Sequence, residues 1–202
     1  SCTNVRVEDQ IIPSVSGTIT IPTSLDTGSE AASTWYALWI FYKPIDNTYV
    51  MKLSASFTNP TLPDSTYTKK RLLSCIRNNS SSNFMMFVHD NDLYRITEAT
   101  TEIYNANPPT TPATIDLSAF VNSTLLDGEV KLNVRTGRYG VYIYGQALDN
   151  TYYRDSISYN EANNNKIETI LLKTMKPSMQ VADYSTTGSC RISILSWKIK
   201  KC

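Results

Sequence analysis

Short stretches in which apolar and polar residues alternate recur along the chain, and each of them predicts a β-strand. The strongest is TWYALWIFY at residues 34–42, where both alternating faces are apolar. We expect this strand to be central and covered on both sides, with the rings of Trp35, Trp39 and Phe41 in the core, and the alternative is that these rings are exposed to stack on sugars or to anchor a protein interface. It runs through the turn KPIDNT into YVMKLSASF at residues 49–57, so the two stretches together predict a β-hairpin.

Other strands are predicted along the rest of the chain: residues 16–22, 71–76, 113–121, 128–136 and 138–145, a hairpin over 83–97 that turns at HDND, and a C-terminal strand in SCRISILSWKIKK. In the C-terminal strand Lys198 and Lys200 share one face, which is typical of a sheet edge or of a solvent-facing sheet. Residues 160–175 fit either a short helix or a strand over ETILLK.

This pattern predicts an all-β fold, a β-sandwich of jelly-roll-like character, built as one sandwich or as two related halves. The clearest break is NANPPTTPA at residues 105–113, because its three prolines disfavour regular structure. We therefore predict a first unit or half-sandwich over residues 1–104, a Pro-rich linker over 105–113, and a second unit or half-sandwich over 114–202.

The tetrapeptide DNTY occurs twice, and the similarity around it extends backward into the preceding strand. WYALWIFYKPIDNTYV at residues 35–50 aligns with RYGVYIYGQALDNTYY at 138–153, with six of sixteen positions identical. One hypothesis is an internal duplication, which predicts two hairpins that superpose with matching inward faces. The other is convergence on the same turn chemistry, since Asp and Asn bond nearby backbone N–H groups and tolerate left-handed backbone angles.

Composition and charge exclude several classes of function. The chain has 202 residues, a formal net charge of +1 and 18% charged residues. A near-neutral balance argues against nucleic acid as a partner, since phosphate binding needs a basic surface. No apolar run approaches the roughly 20 residues of a membrane span. The sequence has no glycine-rich nucleotide-binding loop, and we expect no cofactor.

Four cysteines are disulfide candidates: Cys2, Cys75, Cys190 and Cys202. An even count permits two disulfides, which would indicate an oxidising compartment, and the alternative is four thiols. A bond between Cys2 and Cys202 would hold the first and last strands together. It would leave Cys75 and Cys190 as a second pair or as two buried thiols.

Residues suited to catalysis or to metal binding are few. His89 is the single histidine, and its spacing to Asp90 and Asp92 matches no strong metal-ligand motif, so we expect no metal site. The carboxylates are scattered and single out no glycosidase pair. We therefore expect no enzyme. Three asparagines stand in N-glycosylation sequons, namely Asn78, Asn79 and Asn122.

Side chains around the two DNTY turns are candidate contacts for a glycan or a protein partner: Tyr49, Asn150, Tyr152, Tyr153 and Arg154. Rings beside Asn or Arg can stack on sugars or anchor a protein interface. Low charge, richness in Ser, Thr and Asn, and the candidate disulfides indicate a structural or adhesive module. We expect it outside the cytoplasm, at a cell surface or in a virion, in contact with other protein subunits. The alternative is a carbohydrate-binding domain that contacts surface glycans, and a glycosidase-type hydrolase is less favoured.

Overall fold

A computed structural model of the chain describes residues 5–13, 15, 17, 24–90, 92–97, 102–136, 141–156, 166–183 and 190–200. This part of the chain forms fifteen β-strands and no helix. The predicted all-β class is confirmed, and several sheets pack together as in a β-sandwich. The jelly-roll-like character stays a prediction.

The chain divides into two compact units, one within residues 1–85 and the other within residues 86–201. The Pro-rich segment at 105–113, where the sequence suggested a boundary, lies inside the second unit, between two of its strands. The first unit has five strands: β1 (Val5–Val7), β2 (Gln10–Ile12), β3 (Trp35–Lys43), β4 (Thr48–Ser54) and β5 (Lys69–Arg77).

Strand β3 organises the first unit, as the central strand of the order β4-β3-β5. On one face Ile40 and Tyr42 pack in a cluster with apolar residues of β1 and β2. On the other face Trp39 and Phe41 are buried, and the indole N–H of Trp39 donates to the Ser56 carbonyl at 3.0 Å. The prediction of a central strand with both faces covered is therefore confirmed, and the rings of Trp39 and Phe41 lie in the core, while Trp35 at the start of the strand is half-buried.

The second unit has ten strands in the described part of the chain: β6 (Phe87–Asp90), β7 (Leu93–Ile96), β8 (Glu102–Ala106), β9 (Ala113–Asp116), β10 (Leu126–Thr136), β11 (Val141–Gln146), β12 (Tyr152–Ser156), β13 (Lys166–Lys173), β14 (Ser178–Asp183) and β15 (Cys190–Ile199). The larger sheet has the order β13-β10-β15-β7-β6, with β8 also paired to β15, and the smaller sheet has the order β12-β11-β14-β9.

Each of these two sheets buries one face, as the alternation of their side chains requires. The buried apolar positions include Val130, Leu132 and Val134 of β10, Ile192 and Ile194 of β15, Val141 and Ile143 of β11, and Met179 and Val181 of β14. Strands β11 and β13 also contact each other, although they belong to different sheets. The second unit is therefore a two-layer sandwich with one solvent-facing side on the larger sheet.

Strand β15 corrects one of the two expectations for the C-terminal strand. It is not a sheet edge, since β10 lies on one side of it and β7 and β8 on the other. The solvent-facing alternative holds, because Trp197 and Ile199 are buried while Lys198 is half-exposed. A β-bulge at Leu195 interrupts the ladder, so that Lys131 pairs with Ser196 and Leu132 with Ile194.

The bulge has a direct effect on which side chains are buried. Ile192 and Trp197 have opposite parity along the strand, so a regular strand would place them on opposite faces. One extra residue in β15 restores both of them to the inner face.

Three of the predicted secondary-structure segments differ from the structure or lie partly outside the described residues. The ambiguous segment at residues 160–175 contains the strand β13 and no described helix. The strand predicted over 113–121 stops at Asp116, because Ser118 to Phe120 form a turn. The strand predicted over 16–22 lies outside the described residues except for Gly17.

Candidate functional site

The two DNTY turns share two local features. Asn47 and Asn150 are both left-handed, with φ of 55° and 71°. In each turn the threonine hydroxyl donates to the aspartate two residues earlier at 2.7 Å, Thr48 to Asp46 and Thr151 to Asp149. These contacts are the ones that Asp and Asn make in turns without any ligand.

Hydrogen bonds to the aspartate carboxylates stabilise both turns. The Lys43 ammonium lies 2.7 Å from the Asp46 carboxylate. This hydrogen bond, together with the one from Thr48, lowers the pKa of Asp46 below its ordinary value, and the same contact raises the pKa of Lys43. At the other turn, the hydroxyl and then the backbone amide of Thr151 lower the pKa of Asp149. Both carboxylates are therefore held in their ionised form.

Each turn has a large, solvent-exposed aliphatic side chain at the equivalent position. Ile45 is 87% exposed and Leu148 is 68% exposed. The turn around Ile45 is further fixed by the Tyr42 hydroxyl, which donates to the Asn47 carboxamide at 2.7 Å. The exposed aliphatic groups therefore stand on turns whose side chains are already bonded. We call Ile45 and Leu148 the tip residues.

The turn of the second unit is also tied to the chain segment between β13 and β14. The Lys176 ammonium donates to the Asn150 carboxamide oxygen at 2.5 Å. Thr174 is fully buried, its hydroxyl oxygen accepts from the Gln146 amide at 3.2 Å, and its hydroxyl reaches the Lys176 carbonyl at 2.7 Å. This network holds the end of β11 in place beneath the turn.

The ladders next to the two turns differ by one residue in register. In the first unit Lys43 pairs with Thr48, whereas in the second Gln146, which aligns with Lys43, pairs with Tyr152. The reason is visible in the turn itself. The Ala147 amide donates to the Thr151 carbonyl at 2.9 Å, and the aligned residue Pro44 has no N–H with which to make this bond.

A shift of one residue reverses the face that each side chain occupies. Tyr49 pairs with Tyr42 and packs on the cluster around Ile40. The aligned Tyr152 lies on the opposite face, and its hydroxyl is 3.2 Å from the Ser178 hydroxyl. Ile40 and the aligned Ile143 are both buried, so the inward faces of β3 and β11 match. The strands that follow the two turns, β4 and β12, pair in different registers and do not match. Duplication of the two units therefore stays a prediction, and turn chemistry accounts for the shared turn.

The structure distributes the predicted contact residues over different environments. Tyr49 is half-buried against the first core, and Tyr152 is half-buried at the smaller sheet of the second unit. Asn150 is exposed, but its carboxamide oxygen already accepts from Gln146 at 3.3 Å as well as from Lys176. Tyr153 and Arg154 belong to β12, and their side chains lie outside the described part of the structure.

The cysteines and the sequons occupy mostly buried positions. Cys75 and Cys190 are buried thiols and do not form the second disulfide, while Cys2 and Cys202 lie outside the described residues. Asn78 and Asn122 are buried. The Asn122 carboxamide oxygen accepts from the backbone amides of Thr124 and Leu125. Asn79 is half-buried, so glycosylation at the three sequons stays a prediction that the burial of Asn78 and Asn122 disfavours.

Strands β6 and β7 form the hairpin predicted over residues 83–97, with Asp90 paired to Leu93 at its end, and Asn91 of the HDND segment lies outside the described residues. His89 pairs with Tyr94 across this hairpin, and their rings are tilted with centroids 6.5 Å apart. Among the described residues no three His, Cys, Asp or Glu side chains are grouped closely enough to hold a metal ion.

One surface was missed by sequence analysis. The outer face of β10 and β15 carries basic residues, among them Arg135 and Arg191, which are exposed cross-strand partners. The two arginines are far apart in the sequence, and each looks like an ordinary polar position of an alternating strand. Only the pairing of the two strands brings them together.

No protein-family model, curated protein or solved structure matches this chain. The part of the chain that the structure describes also contains no helix with the length and hydropathy of a membrane crossing.

Proposed function

We propose that this chain is a non-enzymatic structural or adhesive β module that acts outside the cytoplasm, at a cell surface or in a virion, through contacts with other protein subunits. The observation that carries the proposal is the pair of tip residues. Ile45 and Leu148 align with each other, and both are held in water by turns that are already ordered.

Ordered tips suit protein contacts for an energetic reason. Full burial of an Ile or Leu side chain contributes about 1.5–3 kcal/mol. Association normally loses part of such a gain to the ordering of side chains and loops. Here the Asp–Thr bonds and the left-handed asparagines have ordered the turns before any partner binds. Two tips in one chain also allow one copy to bind two others, which is the requirement for an extended assembly.

The alternative of sugar binding at these turns has less support from the geometry. A sugar site needs polar atoms that are available to hydroxyl groups. The Asn150 carboxamide oxygen is engaged by Gln146 and Lys176, and the Tyr152 hydroxyl lies in hydrogen-bond range of Ser178. The aliphatic side chains of Ile45 and Leu148 are exposed at the turns, so the contact expected there is apolar.

Sedimentation velocity over a range of concentrations tests the proposal. The wild-type chain should form oligomers, and the double variant Ile45→Asn/Leu148→Asn should shift the equilibrium toward monomer by at least tenfold. Ile11→Asn is the matched control, because Ile11 of β2 is also 68% exposed but lies outside both turns. The proposal is wrong if the wild type stays monomeric at high concentration, or if the control weakens assembly as much as the double variant.

A further inference from the structure

The outer side of the larger sheet of the second unit is more basic than the net charge of the chain suggests. We define the basic face as five outward residues of its two central strands: Lys131, Asn133 and Arg135 of β10, and Arg191 and Ser193 of β15. Glu129, the next outward residue of β10 beyond Lys131, forms an ion pair with Lys173 and is not counted in this face. The assignment to one face follows from burial, since the alternate residues of both strands lie in the core. Three of these five residues are cations, and none is an acid.

Arg135 and Arg191 lie directly opposite each other in the antiparallel ladder, and both are exposed. Like charges at directly opposed positions destabilise a sheet. An anion bound between the two side chains would reverse this effect, because guanidinium groups bind oxyanions through paired N–H donors. The arginine pair therefore destabilises the sheet in the free protein and stabilises it when an oxyanion is bound.

Lys131 supplies a second cationic position on the same face, apart from the arginine pair. It lies four residues before Arg135 on the same strand, so the two positions are about 13 Å apart along β10. The residues between them are neutral hydrogen-bonding groups, with Asn133 paired to Ser193 on one side and to Thr169 on the other. The face thus offers two anion positions separated by polar groups.

A depression of about 390 Å³ adjoins the Lys131 end of the basic face. Its lining has a polar part, made of Glu129, Lys131, Thr169, Ser196 and Lys198, and an apolar part, made of Leu93, Ile170, Leu171 and Trp197. This volume falls within the range of small-ligand sites. A bound chain could therefore place one ring in the depression while its charged groups reach the arginines.

The acidic residues around the face do not neutralise it. Glu129 is 2.5 Å from Lys173, and Asp127 is 3.9 Å from Lys198, so each has its own cation. Glu102 of β8 pairs with Ser193 and is the acid placed next to the face. The arginine pair lies beyond Ser193, opposite Asn105 of β8 rather than opposite an acid.

We propose that the basic face binds a sulfated polysaccharide, with one sulfate group between Arg135 and Arg191 and another at Lys131. The charge pattern fits any regular polyanion, but two observations favour a sugar chain. The outward positions of the face carry no aromatic ring on which a nucleic-acid base could stack. The amide and hydroxyl groups of Asn133, Ser193 and Thr169 are suited to sugar hydroxyls. This site is separate from the tip residues, and either proposal can fail without the other.

Binding of the full chain to heparin, measured by calorimetry at several salt concentrations, tests the site. We expect Arg135→Gln/Arg191→Gln to weaken binding at least tenfold and to reduce the slope of log affinity against log salt. The matched control is Arg6→Gln/Lys70→Gln, which removes the same charge from β1 and β5 of the first unit and should change affinity less than threefold. The thermal midpoint of the double arginine variant should stay the same or rise, which separates lost binding from lost folding.

Several outcomes would overturn the site. These are no binding of the wild type to heparin at physiological salt, equal loss in both double variants, or equally tight binding of a desulfated polysaccharide. Single-stranded polynucleotide serves as the competing polyanion. If it binds more tightly than heparin and depends on the same two arginines, the face is a nucleic-acid site and the polysaccharide proposal is wrong.

Discussion

The backbone amide of Ala147 donates a hydrogen bond of 2.9 Å to the carbonyl oxygen of Thr151 and so closes the hairpin turn of the second unit. The Asn150 amide then bonds the Ala147 carbonyl at 3.2 Å, and Asn150 itself is left-handed. A three-residue loop of this kind ends in a bulge, which sets the register of the strands that follow. In the first unit Pro44 cannot make the closing bond, and the ladder there begins at Lys43 and Thr48.

The closing bond predicts that proline destabilises the turn at position 147 but is tolerated at position 148. Ala147→Pro removes the bond and should lower the free energy of unfolding by about 1 kcal/mol or more. Leu148→Pro is the control, because proline is favoured at the second position of such a turn and should change stability by less than about 1 kcal/mol. Urea denaturation of both variants checks this. Equal losses would show that the amide of Ala147 has no special role.

The lowered pKa values of Asp46 and Asp149 predict a loss of turn stability in acid. A carboxyl group whose pKa is lower in the folded than in the unfolded chain stabilises the fold above its unfolded pKa, and this contribution is lost as the pH falls through the folded pKa. Carbon-detected NMR titration should place both groups below their ordinary value of 3.8. Thr151→Val should raise the pKa of Asp149 and leave that of Asp46 unchanged. Titration of Asp149 at its ordinary value in the wild type would contradict the turn geometry.

The bulge at Leu195 predicts that β15 tolerates the loss of one residue at this position. Without Leu195, Ile192 and Trp197 would lie four positions apart, so a regular ladder with β10 would keep both on the inner face. We therefore expect the deletion variant to keep its cooperative unfolding transition and the tryptophan emission of the wild type.

Deletion of Asn133, in β10, is the contrasting variant. No bulge lies at this position to take up the loss, so Leu132 and Val134 would become neighbours and would face opposite sides of the sheet. We expect this variant to lose its cooperative unfolding transition. If the Leu195 deletion is as damaging as the Asn133 deletion, Leu195 is not the extra residue of the ladder.

The sequence by itself determined the local features of this protein. The alternation around Trp39 located β3 and identified it as a strand with two buried faces, because both parities are apolar. The Asp-Asn pairs located both turns, because those side chains bond the adjacent backbone. Period-two alternation and turn chemistry act over a few residues, so they can be detected without knowledge of the fold.

The tertiary structure alone decided which distant strands meet and in which register. It placed β15 at the centre of a sheet instead of its edge, set Tyr49 and Tyr152 on opposite faces, and brought Arg135 opposite Arg191. The last two of these results depend on one missing N–H, at Pro44, and on one extra residue, at Leu195, each of which shifts a ladder by a single step. Such a step leaves the local pattern unchanged but reverses the face of every side chain beyond it, so only the paired strands reveal it.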